Sequence, residues 1–166
     1  MGRILAGEVH HFMRDRLERE LRKDLRNLKI LKEGDAECCA YHHLRKFLRR
    51  DPKWRVFARK YVQRGFYPDL LIYKSNEMKF AVELKWRKHK ISRHDRKKLR
   101  QLLNQSGGPR KAYSLSVIPE GGYENARKRD SEKYGLFELV VDLGYSGRNG
   151  VRKIKDWEEK RERFRH

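Results

Sequence analysis

Two short apolar runs in the middle of the chain carry charged side chains where strands are normally apolar. Residues 67–73 read YPDLLIY, and residues 81–85 read AVELK. Side chains alternate between the two faces of a strand, so Glu83 and Lys85 share one face. A hairpin with its midpoint at Asn76 places Asp69 directly opposite Glu83, with Cβ atoms about 4.5–5.5 Å apart. The pattern therefore predicts a hairpin that brings two carboxylates and one ammonium group together.

The predicted carboxylate pair indicates a metal site. Two carboxylates this close repel each other unless a cation lies between them, and oxygen ligands of this kind suit Mg²⁺ or Mn²⁺. A solvated hairpin face, where Asp, Glu and Lys are common, is the alternative interpretation. We favour the metal site because Glu83 and Lys85 alternate with apolar residues in a strand that should be half or fully buried. Charged side chains are rare in such strands unless they are paired or bound to metal.

The same residues resemble the signature of the PD-(D/E)XK nuclease superfamily. Pro68-Asp69 matches the first half of the signature, and Glu83-Leu84-Lys85 matches the second half. The order of elements is similar to that of the archaeal Holliday-junction resolvases. This order is a helical glutamate, a strand, the Pro-Asp strand, the Glu-x-Lys strand, a basic loop, a helix and a strand.

The resemblance covers residues 33–119 and implies roles for individual residues. The superfamily has a glutamate on a helix before the first strand, and Glu37 lies in a helical-looking stretch at that place, with Glu33 as a less favoured substitute. An exposed helical glutamate is the alternative interpretation of Glu37. Lys85 would orient or activate the attacking water. The implied metal ligands are Asp69, Glu83, the backbone carbonyl of Leu84, and Glu37.

The charge of the chain indicates a polyanionic partner. Its 43 Lys and Arg residues outnumber its 23 Asp and Glu residues and give a formal net charge of +20. Such an excess is the electrostatic footprint of a nucleic-acid-binding protein. An anionic membrane surface is the competing target, but the basic residues are spread along the chain and no strongly amphipathic basic segment stands out.

Basic residues that follow Lys85 are the candidate phosphate contacts. They continue onto a helix that Ser92 is expected to cap and that extends to about residue 105. A solvated helix face is the alternative interpretation of these charges. Trp54, Tyr61 and Trp86 could stack on unpaired bases, although core packing is the favoured role. The candidate DNA-binding residues are Arg87, Lys88, Lys90, Arg93, Arg96, Lys97 and Arg100.

The hydrophobic pattern predicts an α/β fold made of a single restriction-endonuclease-like domain, with a central mixed sheet flanked by helices. Residues 1–32 form a helical extension, with one long helix from about residue 7 to residue 32. Residues 33–150 form the nuclease core, with a short helix near 124–133 and a flexible link at 144–150. Residues 151–166 form a charged tail. The apolar stripe of the first helix is interpreted as core packing, and a dimer contact is the alternative.

Two further features limit the cofactors and the location. Cys38, Cys39, His42 and His43 are close in sequence, but the two helical Cys/His pairs point about 100° apart, which disfavours a zinc site. No apolar stretch reaches the roughly 18 residues of a membrane span. We therefore expect a cytoplasmic, nucleoid-associated protein that needs no membrane and no small-molecule cofactor.

These observations predict a Mg²⁺- or Mn²⁺-dependent endodeoxyribonuclease that hydrolyses phosphodiester bonds in double-stranded or branched DNA. A structure-specific enzyme of DNA repair or recombination, acting on junctions, is the leading interpretation, and symmetric action on a junction would require a homodimer. A sequence-specific restriction-type endonuclease is the first alternative. A non-catalytic nucleic-acid-binding module of nuclease fold and an RNA-directed nuclease are the others.

Overall fold

Helices cover both faces of a five-stranded sheet. The computed structural model describes residues 2–62, 66–87, 91–119, 135–143 and 147–163, the first five residues of the last segment by their backbone alone. The helices of these segments are α1 (Ala6–His11), α2 (Glu18–Arg26), α3 (Glu33–Leu48), α4 (Arg93–Leu103) and α5 (Gly147–Arg163), with a π-helical turn at Phe12–Leu17 between α1 and α2. The strands are β1 (Trp54–Ala58), β2 (Leu70–Lys74), β3 (Glu77–Trp86), β4 (Lys111–Ile118) and β5 (Leu136–Asp142).

The strands form one mixed sheet in the order β1-β2-β3-β4-β5. The first three strands are antiparallel neighbours, whereas β3, β4 and β5 are parallel neighbours. Parallel pairing of β3 with β4 requires a crossover connection, and α4 lies in that connection. The predicted α/β fold with a central mixed sheet, flanking helices and an N-terminal helix is confirmed.

The strands β2 to β5 divide their side chains between two apolar clusters, whereas β1 contributes to the larger one alone. On β3, Phe80, Val82 and Leu84 belong to a large cluster that also contains the buried side chains of α2, α3 and α5. Ala81 belongs to a smaller cluster, which Leu99 and the other apolar residues of α4 complete. Because the side-chain period of a strand is two, Glu83 and Lys85 lie on the same face of the sheet as Ala81, below α4.

The N-terminal helix, comprising α1, the π-helical turn and α2, packs on the large cluster. Its apolar stripe is buried within its own chain from Val9 to Leu25, as the core-packing interpretation predicted, whereas Leu28, the last residue of the expected stripe, is half-buried. The helix ends at Arg26 rather than at residue 32, because Leu28 adopts the left-handed conformation with a φ of 58° and starts a turn. The fully buried stripe residues are Val9, Met13, Leu17, Leu21 and Leu25.

The C-terminal segment is part of the packed structure. A flexible link was predicted for residues 144–150, but its last four residues are helical because α5 begins at Gly147. The expected boundary at residue 150 therefore falls inside a helix. Trp157 is buried, and its indole N–H donates to the backbone oxygen of Leu25 at 2.7 Å. Arg161 is 1% exposed and donates to the backbone oxygen of Leu31 at 3.0 Å. These bonds fasten α5 to the end of the N-terminal helix and to the turn that follows it.

Two further predictions concern the rest of the chain. The short helix expected near residues 124–133 lies outside the described residues, as do residues 144–146 of the expected link. Among the described segments, no helix has both the length and the apolar character that crossing a membrane requires.

Candidate functional site

The β2–β3 hairpin places Asp69 beside Glu83. Leu70 pairs with Val82, so the register beside the two acids has its midpoint at Asn76 as predicted. A register shift between Ile72 and Tyr73 separates this part of the ladder from the turn, where Lys74 pairs with Glu77. The ladder stops one pair short of the two acids, because β2 begins at Leu70. Instead of taking part in the ladder, Asp69 accepts a hydrogen bond from the backbone N–H of Leu84 at 2.6 Å, through its carboxylate. This bond fixes the Asp69 carboxylate against the strand that carries Glu83.

Glu83 and Lys85 meet on the face of the sheet that α4 covers. The ammonium of Lys85 lies 2.7 Å from Oε1 of Glu83 and 3.2 Å from Oδ2 of Asp95. Glu83 is only 8% exposed, and its second carboxylate oxygen, Oε2, is buried without a hydrogen-bond partner. A buried carboxylate oxygen without a partner carries a desolvation cost that a bound cation or an ordered water would relieve.

The first two turns of α3 reach the end of β3. Asp35 fixes the start of this helix, because its carboxylate accepts the backbone N–H groups of Leu31 and Lys32 at 3.0 and 3.2 Å. Glu33 then accepts the backbone N–H of Trp86 at 3.1 Å. One turn later, Glu37 enters the same region from the opposite side of the hairpin.

Glu37 is buried and forms an ion pair. Its carboxylate accepts two hydrogen bonds from Nε of Arg59, at 3.1 and 3.0 Å, and one from Nη2 at 2.7 Å. The alternative of an exposed helical glutamate is therefore wrong, since Glu37 is 8% exposed. The negative charge of Glu37 still acts on Asp69. The structure thus places Glu37 beside the Asp69–Glu83 pair, with its carboxylate turned to a guanidinium.

Burial disfavours the charged forms of both central acids, and the charge of Glu83 adds to this effect at Asp69. The pKa of Asp69 is raised to about 7, mainly by burial and further by the charge of Glu83. The hydrogen bond from the Leu84 N–H acts in the opposite direction and lowers this pKa. Burial also raises the pKa of Glu83. Burial by itself lowers the pKa of Lys85. The hydrogen bonds to Glu83 and Asp95 and the charges of these two acids outweigh burial, so the pKa of Lys85 is raised. A divalent cation would reverse the penalty on the two acids.

The donor set fits a hard cation with several water ligands. Asp69 and Glu83 supply the carboxylates, and Mg²⁺ is commonly held by one or two carboxylates while it keeps several waters. In the described part of the chain, no three His, Cys, Asp or Glu side chains are arranged as a metal-binding group. A cation at this site would therefore depend on two carboxylates supplemented by other oxygens. The carbonyl of Leu84 is the predicted third ligand.

Two residues of this site were missed by the sequence analysis. Asp95 lies in the helix cap that was expected at Ser92, and the Oγ of Ser92 accepts the backbone N–H of Asp95 at 3.0 Å. The Asp95 carboxylate also reaches Lys85. Ser114 is paired with Glu83 in the β3–β4 ladder, and its hydroxyl is buried without a partner. Its position as a polar residue within an apolar strand was the available signal.

The predicted phosphate contacts have different surroundings. Arg93 and Lys97 are exposed on α4, whereas the guanidinium of Arg96 is paired with Glu138 of β5. Arg87 is exposed but lies 3.5 Å from a carboxylate oxygen of Glu158. Ion pairing leaves Arg87 and Arg96 less available to a phosphate than the sequence predicted. Of the remaining predicted contacts, Arg100 is exposed, and Lys88 and Lys90 lie outside the described residues.

The Cys and His residues of α3 do not gather around one point. Cys38 is exposed, while His43 forms a 2.6 Å contact with Asp24 of α2. Burial raises the pKa of the Cys39 thiol to about 11, and the charge of Asp24 contributes. Because zinc is bound by the thiolate, these surroundings disfavour metal binding at Cys39.

Comparison of the chain with protein-family models, with curated proteins and with solved structures finds no match. The resemblance of Pro68-Asp69 and Glu83-Leu84-Lys85 to the nuclease signature therefore stays a prediction, with the geometry of the site as its physical support.

Proposed function

We propose that the chain is a Mg²⁺- or Mn²⁺-dependent DNA endonuclease of restriction-endonuclease-like fold. The observation that carries the proposal is the buried, unpartnered oxygen of Glu83 beside Asp69 and Lys85. Two carboxylates and one ammonium held together at a largely buried position suit the hydrolysis of a phosphodiester, which needs a positioned water and neutralisation of the phosphate charge. The net charge of +20 supplies the attraction for the nucleic acid.

Each residue of the site has a role in this proposal. Asp69, Glu83 and the carbonyl of Leu84 would hold the metal. When bound, a divalent cation neutralises phosphate charge and lowers the pKa of a ligated water. Lys85 donates hydrogen bonds to the water or to a phosphate oxygen. Its raised pKa keeps it protonated near neutral pH in the metal-free protein, which favours charge stabilisation over general-base action as its role.

Glu37 has a supporting role in the proposed site. Because its carboxylate is bonded to Arg59, it is better placed to position the guanidinium than to bind a metal directly. Arg59 is exposed, and the charge of Asp69 contributes to raising the pKa of its guanidinium. The guanidinium therefore provides a second cation at the rim of the site, where it can contact a phosphate of the bound strand.

Branched DNA is the proposed substrate class. The exposed cations Arg93 and Lys97 are suited to the phosphate backbone and read little base sequence. The described residues form one domain around one sheet, without a separate recognition module. A protein of this kind discriminates by the shape of the DNA, and junctions or flaps have distinctive shapes.

A cleavage assay tests the proposal. Labelled four-way junction, flap, single-stranded and linear duplex DNA are incubated with and without Mg²⁺ at two salt concentrations. Asp69→Asn and Glu83→Gln should each abolish cleavage. Glu77→Gln is the matched control, because Glu77 is an exposed acid on the same strand, about 20 Å from Glu83.

Each outcome of the assay has a defined meaning. Paired symmetric nicks in the junction that depend on metal would support a resolvase-type enzyme. Discrete fragments from linear duplex, without preference for branches, would support a restriction-type enzyme. Salt-sensitive binding without cleavage of any substrate would contradict the proposed activity and leave a binding module. Cleavage that survives both substitutions would show that the site is wrongly assigned.

A further inference from the structure

Two exposed tyrosines lie at the edge of the candidate site. Tyr61 and Tyr67 are each 54% exposed, and apart from them the described residues contain one other strongly exposed large hydrophobic side chain, Leu5. The rings of Tyr61 and Tyr67 contact each other, with centroids 5.2 Å apart and planes tilted by 55°. Two adjacent aromatic faces in water carry a hydration cost that a flat apolar partner would remove.

The segment that carries the tyrosines is held at its base. The backbone N–H of Arg59 donates to the carbonyl of Asp69 at 2.9 Å, and that of Val62 donates to Phe66 at 3.3 Å. Arg59 adopts the left-handed conformation, with a φ of 46°, which is unfavourable for a residue with a side chain. The ion pair between Arg59 and Glu37 fastens the same residue to α3. The tyrosines therefore extend from a braced support.

The chain direction places Tyr67 next to the reacting centre. Phe66 and Pro68 are buried, while Tyr67 between them is exposed, as alternation along an extended segment requires. Phe66 packs in the small cluster under α4, which turns Tyr67 outward. Asp69 follows two residues later, so its Cα lies at most about 7 Å from that of Tyr67. This separation spans about two nucleotide steps of a DNA strand.

The other aromatic candidates are not available in the same way. Trp54 is 4% exposed and donates its indole N–H to the backbone oxygen of Ile4. Trp86 is partly buried, and the guanidinium of Arg161 lies 5.7 Å from its ring centroid. Core packing, the favoured interpretation, is therefore confirmed for Trp54 and wrong for Tyr61.

Two lysines lie over aromatic rings close in sequence to the tyrosines. The ammonium of Lys60, the residue before Tyr61, lies 4.5 Å from the ring centroid of Phe57, and that of Lys98 lies 5.4 Å from the ring centroid of Phe66, the residue before Tyr67. Exposed aromatic faces together with nearby cations match a single nucleic-acid strand, whose bases stack while its phosphates pair with cationic groups. An apolar peptide would use the rings but not the charges.

We infer that Tyr61 and Tyr67 form a stacking platform for an unpaired nucleobase next to the phosphate that is cut. The inference rests on the proposed nuclease function for the position of the base, and it defines the substrate class further. The enzyme would act where at least one base beside the scissile phosphate is unpaired, as at a junction centre, a flap or a mismatch. A fully paired duplex offers no free base face to the platform.

Binding without cleavage tests the platform directly. The affinity of the full chain for single-stranded and duplex oligonucleotides is measured in EDTA, with 2-aminopurine in the single strand as a stacking probe. Tyr61→Ala and Tyr67→Ala should each weaken single-strand binding by about five- to 150-fold and reduce the quenching of 2-aminopurine. Duplex binding should change less than about twofold.

Matched variants separate stacking from general apolar contact. Tyr67→Phe keeps the ring and should keep the affinity, whereas Tyr67→Leu keeps apolar area without an aromatic face and should behave like Tyr67→Ala. Leu5→Ala removes a similarly exposed apolar side chain far from the site and should have no effect on binding. Its neighbour Ile4 contacts Trp54 at the start of β1, whereas the candidate site lies at the other end of that strand. Thermal melting of each variant confirms that it is folded.

The outcomes distinguish the platform from the nuclease function. If the alanine variants bind single strands as tightly as the wild type, or if Tyr67→Leu matches the wild type, the platform is refuted whether or not the protein cleaves DNA. If the wild type cleaves nothing but the tyrosine-dependent preference for single strands is present, the nuclease function fails and the platform stands. Equal losses for single-stranded and duplex DNA would also refute stacking.

Discussion

Replacement of Asp69 by Asn should remove most of a pH dependence of stability that the site imposes on the metal-free protein. Burial and the nearby charge of Glu83 raise the pKa of Asp69 from an ordinary value of 3.8 to about 7. Below pH 3.8 the carboxyl group is protonated in both the folded and the unfolded state. Between pH 3.8 and about 7, the folded state keeps a proton that the unfolded state releases, so the free energy of unfolding falls as the pH rises.

The size of the effect follows from the two pKa values. The difference is about three pKa units, and each unit corresponds to about 1.4 kcal/mol. About two of these units lie between pH 5 and pH 7. Because part of the Asp69 side chain reaches solvent, screening reduces the effect. We therefore expect the wild type to lose about 2 kcal/mol more than Asp69→Asn between pH 5 and pH 8. Asn keeps a carbonyl that can accept the N–H of Leu84.

Urea unfolding in EDTA at pH 5 and pH 8 measures this difference. Glu77→Gln serves as the control, because Glu77 is an exposed acid on the same strand and the hydrogen bond from Lys79 lowers its pKa rather than raising it. Mg²⁺ at one hundred times its dissociation constant should stabilise the wild type at pH 8 by about 2.7 kcal/mol. It should stabilise Asp69→Asn much less. Parallel pH profiles of the wild type and Asp69→Asn would refute the buried-acid reasoning, and equal stabilisation by Mg²⁺ would refute the metal site.

Three further substitutions test individual contacts. Lys97→Ala should reduce by about 0.9 the slope of the logarithm of the DNA-binding constant against the logarithm of the salt concentration. Arg96→Ala should leave this slope nearly unchanged, because Arg96 is paired with Glu138. Equal slopes for the two variants would contradict this reasoning. Ser114→Ala removes a buried hydroxyl without a partner and should stabilise the metal-free protein by about 1 kcal/mol in urea unfolding, and a loss of stability would show that an ordered water satisfies the hydroxyl. Trp157→Ala should lower the free energy of unfolding by about 3–5 kcal/mol, whereas a change below about 0.5 kcal/mol would support the expected charged tail.

The hairpin and its two acids were predictable because the interactions that define them are local. Side-chain alternation fixed which residues share a face, and the short connection between β2 and β3 made them antiparallel neighbours. The register beside the acids differs from that at the turn because of a shift between Ile72 and Tyr73. The helix that Ser92 caps was predictable for the same reason, since a capping serine acts within three residues. The apolar stripe of the N-terminal helix likewise predicted its burial.

The surroundings of the hairpin depend on contacts between distant parts of the chain. Ser114 lies next to Glu83 only because β4 pairs parallel to β3, and the Arg59–Glu37 pair requires α3 to cross the end of β1. Nothing in the local sequence separates Arg96, which is paired with Glu138, from Lys97 beside it. These partners are set by contacts between distant parts of the chain, which the periodicity of the sequence does not indicate.

The strand that carries Glu83 and Lys85, the positive charge and the elements that flank the site all follow from local sequence patterns and composition. The tertiary structure decided which charges are neutralised and which stay exposed. The C-terminal segment shows the physical reason most clearly. Its charge pattern indicates a solvated tail, but Trp157 and Arg161 find backbone carbonyls of the N-terminal helix and its following turn. Burial of a charged side chain depends on partners that only the folded chain brings within reach.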